Sequence, residues 1–290
     1  MSATPQSADS GWDLEIQPNE SWRSNFSLAK IRAYKDLLLL LVRRDVVAMY
    51  KQTVLGPVWF FIEPLFTTLV YIVIFGQIAK LGTGGVPQVL FYLSGLIMWN
   101  YFATNLVAAS NTFIQNQALF SKVYFPRIIV PLSVTLSNGL KFFIQFALFL
   151  VFYLYYMFTG VVQPTVYILL FPVLVVIMAG LGLAGGMLVS AMTTRYKDLA
   201  VLLRFSIQLF RYVSTVIFPL AMLSPKFKML ILSNPMSSLI EVFRVGCFNT
   251  ITPDPWLWYG LGYSALFVTV LMVLGIAVFH KVEKKFIDTV

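Results

Sequence analysis

Long apolar stretches, separated by short polar or basic loops, constrain this chain more than any other feature of its sequence. A helix needs about 20 consecutive apolar residues to cross the hydrocarbon core of a bilayer. Six stretches meet that requirement, so the sequence predicts an all-α polytopic membrane protein with six transmembrane helices. The predicted spans are residues 55–78, 89–113, 128–158, 167–192, 205–223 and 256–280.

Composition excludes the other classes of protein. The 290 residues are 59% hydrophobic and 11% charged, whereas soluble proteins carry about 25% charged residues. A soluble domain could not bury that much apolar surface, and a disordered chain would need lower hydrophobicity and higher charge. The net charge of +9 would suggest nucleic acid in a soluble protein. Here the basic residues lie at the ends of spans, beside the cytoplasm and anionic membrane lipids, so no nucleic acid partner is expected.

The basic residues also predict the orientation, because cytoplasmic loops are rich in Lys and Arg. Six spans place both termini on one side. The loops on that side contain Arg23, Lys30, Arg32, Lys35, Arg43, Arg44, Lys51, Lys122, Arg127, Arg195, Lys197, Arg204, Lys281, Lys284 and Lys285. The other loops contain only Lys80, Lys226, Lys228 and Arg244. Both termini are therefore predicted to be cytoplasmic.

Three regions outside the spans have characters of their own. Residues 1–21 are polar and acidic, without the apolar core of a signal peptide, and they predict a disordered cytoplasmic tail. Residues 27–51 combine a short apolar run with flanking basic residues, as expected for a helix lying in the cytoplasmic interface. Residues 224–255 are too apolar for a free loop and are broken by prolines, so they predict an external re-entrant pair of short helices.

Polar side chains within the spans recur at helical spacing, and each set therefore shares one face. Such residues are costly in a bilayer and usually functional. The alternative is hydrogen bonding between helices, with Glu63 paired to Lys141 or Arg211. A hydrated path or a seam between subunits would be lined by Trp59, Glu63, Thr67 and Tyr71 in the first span, Asn100 and Thr104 in the second, and Gln208, Arg211 and Thr215 in the fifth. Asn138, Lys141 and Gln145 align in the third span.

Two groups of aromatic residues are informative among the 26 Phe, 14 Tyr and 6 Trp. Trp59 and Tyr71 share a face with hydrogen-bonding groups, a combination that suits sugar rings. The cytoplasmic loop at residues 115–127 mixes aromatic and basic residues up to Pro126. Exposed aromatics there suggest docking to a soluble partner, and an amphipathic helix on the membrane surface is the alternative.

Several motifs are absent or misleading. Residues 180–185 match G-x-G-x-x-G, but they lie within an apolar span rather than a strand–turn–helix unit. Gly182 and Gly186 instead have the spacing that lets two helices approach closely. The sequence contains no P-loop for ATP, and its single Cys247 and single His280 cannot form a Cys/His metal site.

Four segments resemble the type-two ABC exporter permeases, and most closely the branch that exports O-antigen, capsule and teichoic acid polysaccharides. They are Arg44-Asp45 with residues 50–59 and Pro64, the coupling-helix segment Phe120-Ser121-Lys122-Val123-Tyr124-Phe125-Pro126-Arg127, residues 195–199, and Asn234-Pro235 with Phe243-Arg244. Together they extend the resemblance over residues 22–290, as one permease domain.

The resemblance implies a homodimer in the bacterial inner membrane, working with two separate nucleotide-binding ATPase subunits that hold ATP and Mg²⁺. The chain itself would bind no cofactor and catalyse no reaction. The first and fifth spans would line a channel for a lipid-linked polysaccharide, and Phe120 to Arg127, with Lys35 and Asp36 in the interfacial helix, would couple to the ATPase. A permease for a lipid or drug, or a membrane-embedded glycosyl or lipid transferase using Glu63, Asp198, Glu241 or Asp254, are the alternatives.

Overall fold

The described part of the chain is helical and contains no strand. A computed structural model describes residues 32–51, 55–120, 125–193, 196 and 198–287. Short 3-10 turns at Gly56–Val58, Val166–Leu170 and Leu220–Met222 and a π-helix at Ile72–Ile78 adjoin the α-helices. In chain order these are α1 (Lys35–Tyr50), α2 (Trp59–Tyr71), α3 (Gln88–Ser110), α4 (Thr112–Gln115), α5 (Gln117–Phe120), α6 (Ile129–Phe158), α7 (Phe171–Thr193), α8 (Leu199–Tyr212), α9 (Pro225–Leu232), α10 (Pro235–Cys247) and α11 (Pro255–Ile287).

Four helical stretches are long and apolar enough to cross a membrane: Gly56–Ile78, Ile129–Phe158, Val166–Thr193 and Pro255–Val282. They coincide with the predicted first, third, fourth and sixth spans and make this a multi-pass membrane protein. The 23 residues of α3 rise about 34 Å at 1.5 Å per residue, enough for the predicted second span. Its sequence is less apolar because neighbouring helices, rather than lipid, enclose most of it.

Close packing around α3 organises the core. Its most extensive contacts are with α7, and α11 packs against the opposite side of α7. A side chain at Gly186 would collide with Ala109 of α3, and one at Gly182 would lie 2.6 Å from the Asn105 Cβ. The predicted role of these two glycines in helix packing is therefore confirmed.

The fifth predicted span, residues 205–223, is not one continuous helix. α8 ends at Tyr212, and its 14 residues rise about 21 Å, less than the hydrocarbon thickness of about 30 Å. Beyond it the chain continues through a buried turn and the short 3-10 turn at Leu220–Met222. Pro219 has no N–H to donate to the Thr215 carbonyl, and the carbonyls of Thr215 and Val216 instead accept hydrogen bonds from the side chain of Arg244. Irregular backbone is tolerated at this depth only when protein satisfies it.

The predicted helix pair at residues 224–255 is present as α9 and α10. Three helices in this region begin with proline in the first turn, preceded by Ser224, Asn234 and Asp254. The Asn234 and Asp254 side chains accept hydrogen bonds from the N–H groups two residues later, at 3.1 Å each. Proline at the first position and a capping side chain before it favour helix initiation. Every residue of α10 from Met236 to Cys247 is buried.

The two helices at the predicted cytoplasmic side differ in length from their predictions. The predicted interfacial helix, residues 27–51, is α1, and residues 27–31 lie outside the described part. α1 packs on α6 and buries only Leu41. The last helix, α11, continues to Ile287 rather than ending at residue 280.

Candidate functional site

The polar face predicted for the first span forms an open concavity on α2. Trp59 and Glu63 are exposed, Thr67 is half-buried, and Tyr71 is buried. Trp59, Glu63 and Thr67 line a concavity of about 540 Å³ together with Ile62 and Phe66. An indole ring and a carboxylate thus share one surface, where an apolar ring face and hydrogen-bonding groups are both available to a ligand.

The polar residues of the second and third spans meet between α3 and α6. Asn100 and Thr104 face Asn138, Lys141 and Gln145 across a narrow crevice. Beside it, the Asn138 amide donates a hydrogen bond to the Asn105 carbonyl oxygen at 2.9 Å. Helical spacing predicted that each set shares one face, and the structure shows that these two faces meet.

Lys141 connects the crevice to the concavity on α2. Its Nζ lies 3.4 Å from Glu63 Oε2 and 5.5 Å from the centre of the Phe60 ring. Glu63 is therefore paired with Lys141, one of the two alternative partners that the sequence suggested. Its side chain remains 57% exposed. The pair neutralises the formal charge but leaves the carboxylate accessible.

The polar face of α8 is exposed along most of its length. Arg204 and Gln208 are exposed, and no residue of α8 is buried. Arg211 is half-buried, with its guanidinium carbon 5.7 Å from the Tyr212 ring. Thr215, the last residue of this predicted set, is fully buried and donates its hydroxyl to the Ser237 carbonyl at 3.1 Å.

These faces leave Glu63 exposed on the apolar α2, and Arg204 and Gln208 exposed on one face of α8. A charged side chain facing lipid is expensive, so such residues normally face protein or a water-filled cavity. Glu63, Arg204 and Gln208 are consistent with a polar path along α2 and α8 that this single chain does not enclose.

The predicted coupling segment differs from its prediction in one respect, because Phe120 and Phe125 are buried rather than exposed. They belong to an aromatic cluster with Phe113 and Phe279, whose rings stack at 4.6 Å. The loop position suggested exposure, but the distant Phe279 supplies an apolar partner. Arg127 is also largely buried, with its guanidinium carbon 5.1 Å from the Phe120 ring.

The other predicted coupling residues have mixed positions. Lys35 and Asp36 are exposed in the first turn of α1, and Pro126 is half-buried. Ser121, Lys122, Val123 and Tyr124 lie outside the described residues.

Two ion pairs fix the α9–α10 region. Lys228 of α9 donates a hydrogen bond to Asp254 at 2.6 Å, and this contact holds the pKa of the Asp254 carboxyl below its usual range. Glu241 and Arg244 of α10 form a fully buried pair at 3.1 Å. Sequence analysis missed the role of this pair. Its signal was the i, i+3 spacing of an acid and a base within an apolar helix, a spacing that lets the side chains meet.

Comparison with known proteins gives a consistent picture. Residues 36–248 match the family model described as ABC-2 type transporter. Over 256 residues the chain is 25% identical to the O-antigen export system permease protein RfbA of Klebsiella pneumoniae, covering 87% of this chain and 94% of that protein. It is 28% identical to the RfbA of Myxococcus xanthus over 223 residues, covering 76% and 84%. It is 24% identical to the polysialic acid transport protein KpsM of Escherichia coli over 270 residues, covering 90% and 97%.

Proposed function

The chain belongs to the ABC-2 type transporter family, and from that premise we propose that it is the membrane-spanning subunit of an ATP-driven polysaccharide exporter. The names of its relatives support this substrate class, since O-antigen and polysialic acid are both polysaccharides. The observation that carries the proposal is the exposure of Glu63 on a helix that is apolar enough to cross a membrane, together with the exposure of Arg204 and Gln208 on α8. Side chains of this kind would line a hydrated path.

The proposed path needs a second wall, which a second copy of the chain would supply. In one chain the concavity is lined by residues of α2 alone, and α8 buries none of its residues. Two copies related by a two-fold axis would bring two identical polar faces together. The homodimer would then enclose Glu63 and Gln208 of both copies in one channel.

Sugar units would move along this channel by many weak contacts. The exposed ring of Trp59 offers an apolar surface to the C–H face of a sugar, and Glu63 and Gln208 offer hydrogen bonds to its hydroxyls. Weak contacts at several sites allow a chain both to enter and to leave. We propose a lipid-linked glycan as the substrate, exported from the cytoplasm of a bacterium across its inner membrane.

We further propose that energy comes from two separate ATPase subunits that bind ATP and Mg²⁺ on the cytoplasmic side. In this arrangement both termini are cytoplasmic. The fifth and sixth crossings needed beside the four apolar helices are made by α3 and by α8 together with residues 213–223. The helices α9 and α10 re-enter the membrane from outside. Phe120 to Arg127, with Lys35 and Asp36, would contact the ATPase. Nucleotide would open the channel only through contacts that differ between the nucleotide states.

The acidic residues of the chain offer little support for a transferase. A transferase of this kind would use free carboxylates to hold a metal and act as a base. Glu63 is paired with Lys141, Glu241 with Arg244, and Asp254 with Lys228. Three of the four candidate carboxylates are thus paired with cations within the chain, and the fourth, Asp198, is exposed immediately before α8. No observation favours a lipid or drug as the substrate.

Affinity purification from native membranes, combined with a deletion strain, tests the proposed function. We expect the tagged chain to bring down an equal amount of a P-loop ATPase. We also expect deletion to remove polysaccharide from the cell surface and to accumulate lipid-linked glycan inside. An intact chain without an ATPase, or a deletion strain with normal surface polysaccharide, would contradict the proposal. Restoration by the wild-type gene is the control.

Cysteine accessibility tests the polar path separately. We expect a membrane-impermeant maleimide to label Glu63→Cys and Gln208→Cys about tenfold faster than Leu69→Cys, because the reactive thiolate forms in water and not in hydrocarbon. Leu69 is the matched control, since it is an exposed apolar residue of α2 that does not line the concavity. The native Cys247 is buried and should contribute little background. Equal labelling at positions 63 and 69 would refute a hydrated face on α2.

A further inference from the structure

Arg244 lies at the centre of a buried hydrogen-bond network on the predicted outer side. Its side chain is fully buried and donates to the carbonyls of Thr215 at 2.5 Å and Val216 at 3.3 Å. It also donates to the Phe91 carbonyl at 2.8 Å and to the Ser94 hydroxyl at 3.3 Å. One guanidinium therefore joins α10, α3 and the non-helical backbone after α8.

Glu241 completes this network from the same helix. Its Oε1 accepts a hydrogen bond from Arg244 Nη1 at 3.1 Å, and its carboxylate lies near the backbone N–H of Leu220. The arginine thus satisfies carbonyls of residues 213–223 while the glutamate lies beside an N–H of the same segment. Together they take the place of the hydrogen bonds that a continuous helix would make there.

Gly95 of α3 provides the space that the network needs. A Cβ at this position would lie 2.9 Å from Arg244 Nη2 and 3.0 Å from the Val216 Cα. Either the guanidinium or the backbone of Val216 would have to move. The close approach of these three residues therefore depends on the missing side chain at position 95.

The network lies where the exposed polar face of α8 ends. Gln208 is exposed and Arg211 is half-buried, whereas Ser214, Thr215, Val216 and Ile217 are all buried. Water that reached Gln208 along α8 would therefore meet packed protein at residue 214. A continuous apolar helix could fill this position without any buried charge. Buried ion pairs are better suited to specifying one arrangement of the backbone than to adding stability.

We propose that the Arg244–Glu241 pair is a positioning element that holds residues 213–223 across the outer end of the polar path and keeps that end closed to water. This inference rests on the proposed function for the existence of the path. Arg244 belongs to α10, and its guanidinium binds the backbone carbonyls of residues 215 and 216. Residues 213–223 therefore move together with α10. α8 stops between Tyr212 and Val213. At this junction α8 changes its position relative to the unit formed by α10 and residues 213–223.

Labelling of Thr215→Cys in the full-length chain tests this role. A membrane-impermeant maleimide is added outside intact cells whose outer barrier has been permeabilised. We expect little labelling when the network is intact, and about tenfold more when Glu241→Gln, Arg244→Lys or Gly95→Ala is added, since a thiol reacts readily once water reaches it. Gly262→Ala is the matched control for Gly95→Ala, because a Cβ at Gly262 meets nothing within 4 Å.

A second cysteine separates positioning from general loss of structure. Val162 is fully buried in the predicted external loop after α6, and Val162→Cys should stay unlabelled in all variants. Labelling at both positions would show general unfolding and overturn the proposal, as would unchanged protection of Thr215→Cys in variants that fold. If Arg244→Lys fails to accumulate, labelling in Glu241→Gln and Gly95→Ala decides the outcome. Ser94→Ala removes only the hydroxyl that accepts from Arg244 and is the mildest change to the network. The assay needs neither glycan nor ATPase, so failed export with the expected labelling would count only against the proposed function.

Discussion

Replacing Gly186 by leucine is expected to remove most of the folded chain from the membrane. Even a Cβ at this position collides with Ala109 and lies 2.9 Å from the Leu106 carbonyl oxygen. Overpacking a close contact costs about 1–3 kcal/mol, and more when the backbone has to separate. Here α3 and α7 would have to separate at their most extensive interface, so we expect a loss at the upper end of that range or beyond.

The measurement is the amount of monodisperse chain after size-exclusion chromatography in mild detergent, which should fall several-fold, because a loss of about 3 kcal/mol or more is a large part of a total stability of about 5–15 kcal/mol. Gly262→Leu is the matched control, because its side chain would enter open space on α11. Ala109→Gly should partly rescue Gly186→Ala, since it removes the nearest colliding atom. Normal recovery of Gly186→Leu would show that α3 and α7 do not pack as described.

The features that could be predicted from the sequence are those set by local geometry and composition. Apolar length placed the third span at residues 128–158, within one residue of the observed α6. Helical spacing grouped Asn100 and Thr104 on one face and Asn138 and Lys141 on another, and these faces meet. The small-residue spacing at Gly182 and Gly186 indicated close packing before the neighbouring helix was known.

The features that could not be predicted depend on residues distant in the chain. Between residues 205 and 223 the sequence contains Ser214, Thr215 and Pro219, and a proline ends or kinks a helix, but none of these marks Tyr212 as the last helical residue. The distant contribution comes from Arg244, which takes the carbonyls of Thr215 and Val216. In the same way, Phe120 and Phe125 look exposed until Phe279 is brought beside their cluster. Tertiary contacts override local preference in both cases.

The aromatic cluster changes how the cytoplasmic segment would transmit force. Phe113, Phe120 and Phe125 lie on or beside the connection between α3 and α6, whereas Phe279 belongs to α11. Leu41 of α1 is part of the same buried cluster. A displacement of the connection by an ATPase would therefore be passed to α1 and α11 through packed rings, which behave as a close-packed solid rather than a fluid.

Phe279→Ala is accordingly expected to reduce polysaccharide export about tenfold or more while the complex still hydrolyses ATP, because the proposed ATP sites lie in the partner subunits. Removing a buried phenylalanine side chain leaves a cavity and costs about 3–5 kcal/mol of local packing, enough to loosen the connection from α11. Export is measured as surface polysaccharide, and hydrolysis as phosphate release by the purified complex at matched amounts. Phe158→Ala is the matched control, since this phenylalanine is 83% exposed at the end of α6. Phe279→Leu keeps most of the apolar volume and should restore export. If Phe279→Ala exports as well as Phe158→Ala, or if its ATP hydrolysis falls in parallel with export, the cluster does not link the ATPase to the helices.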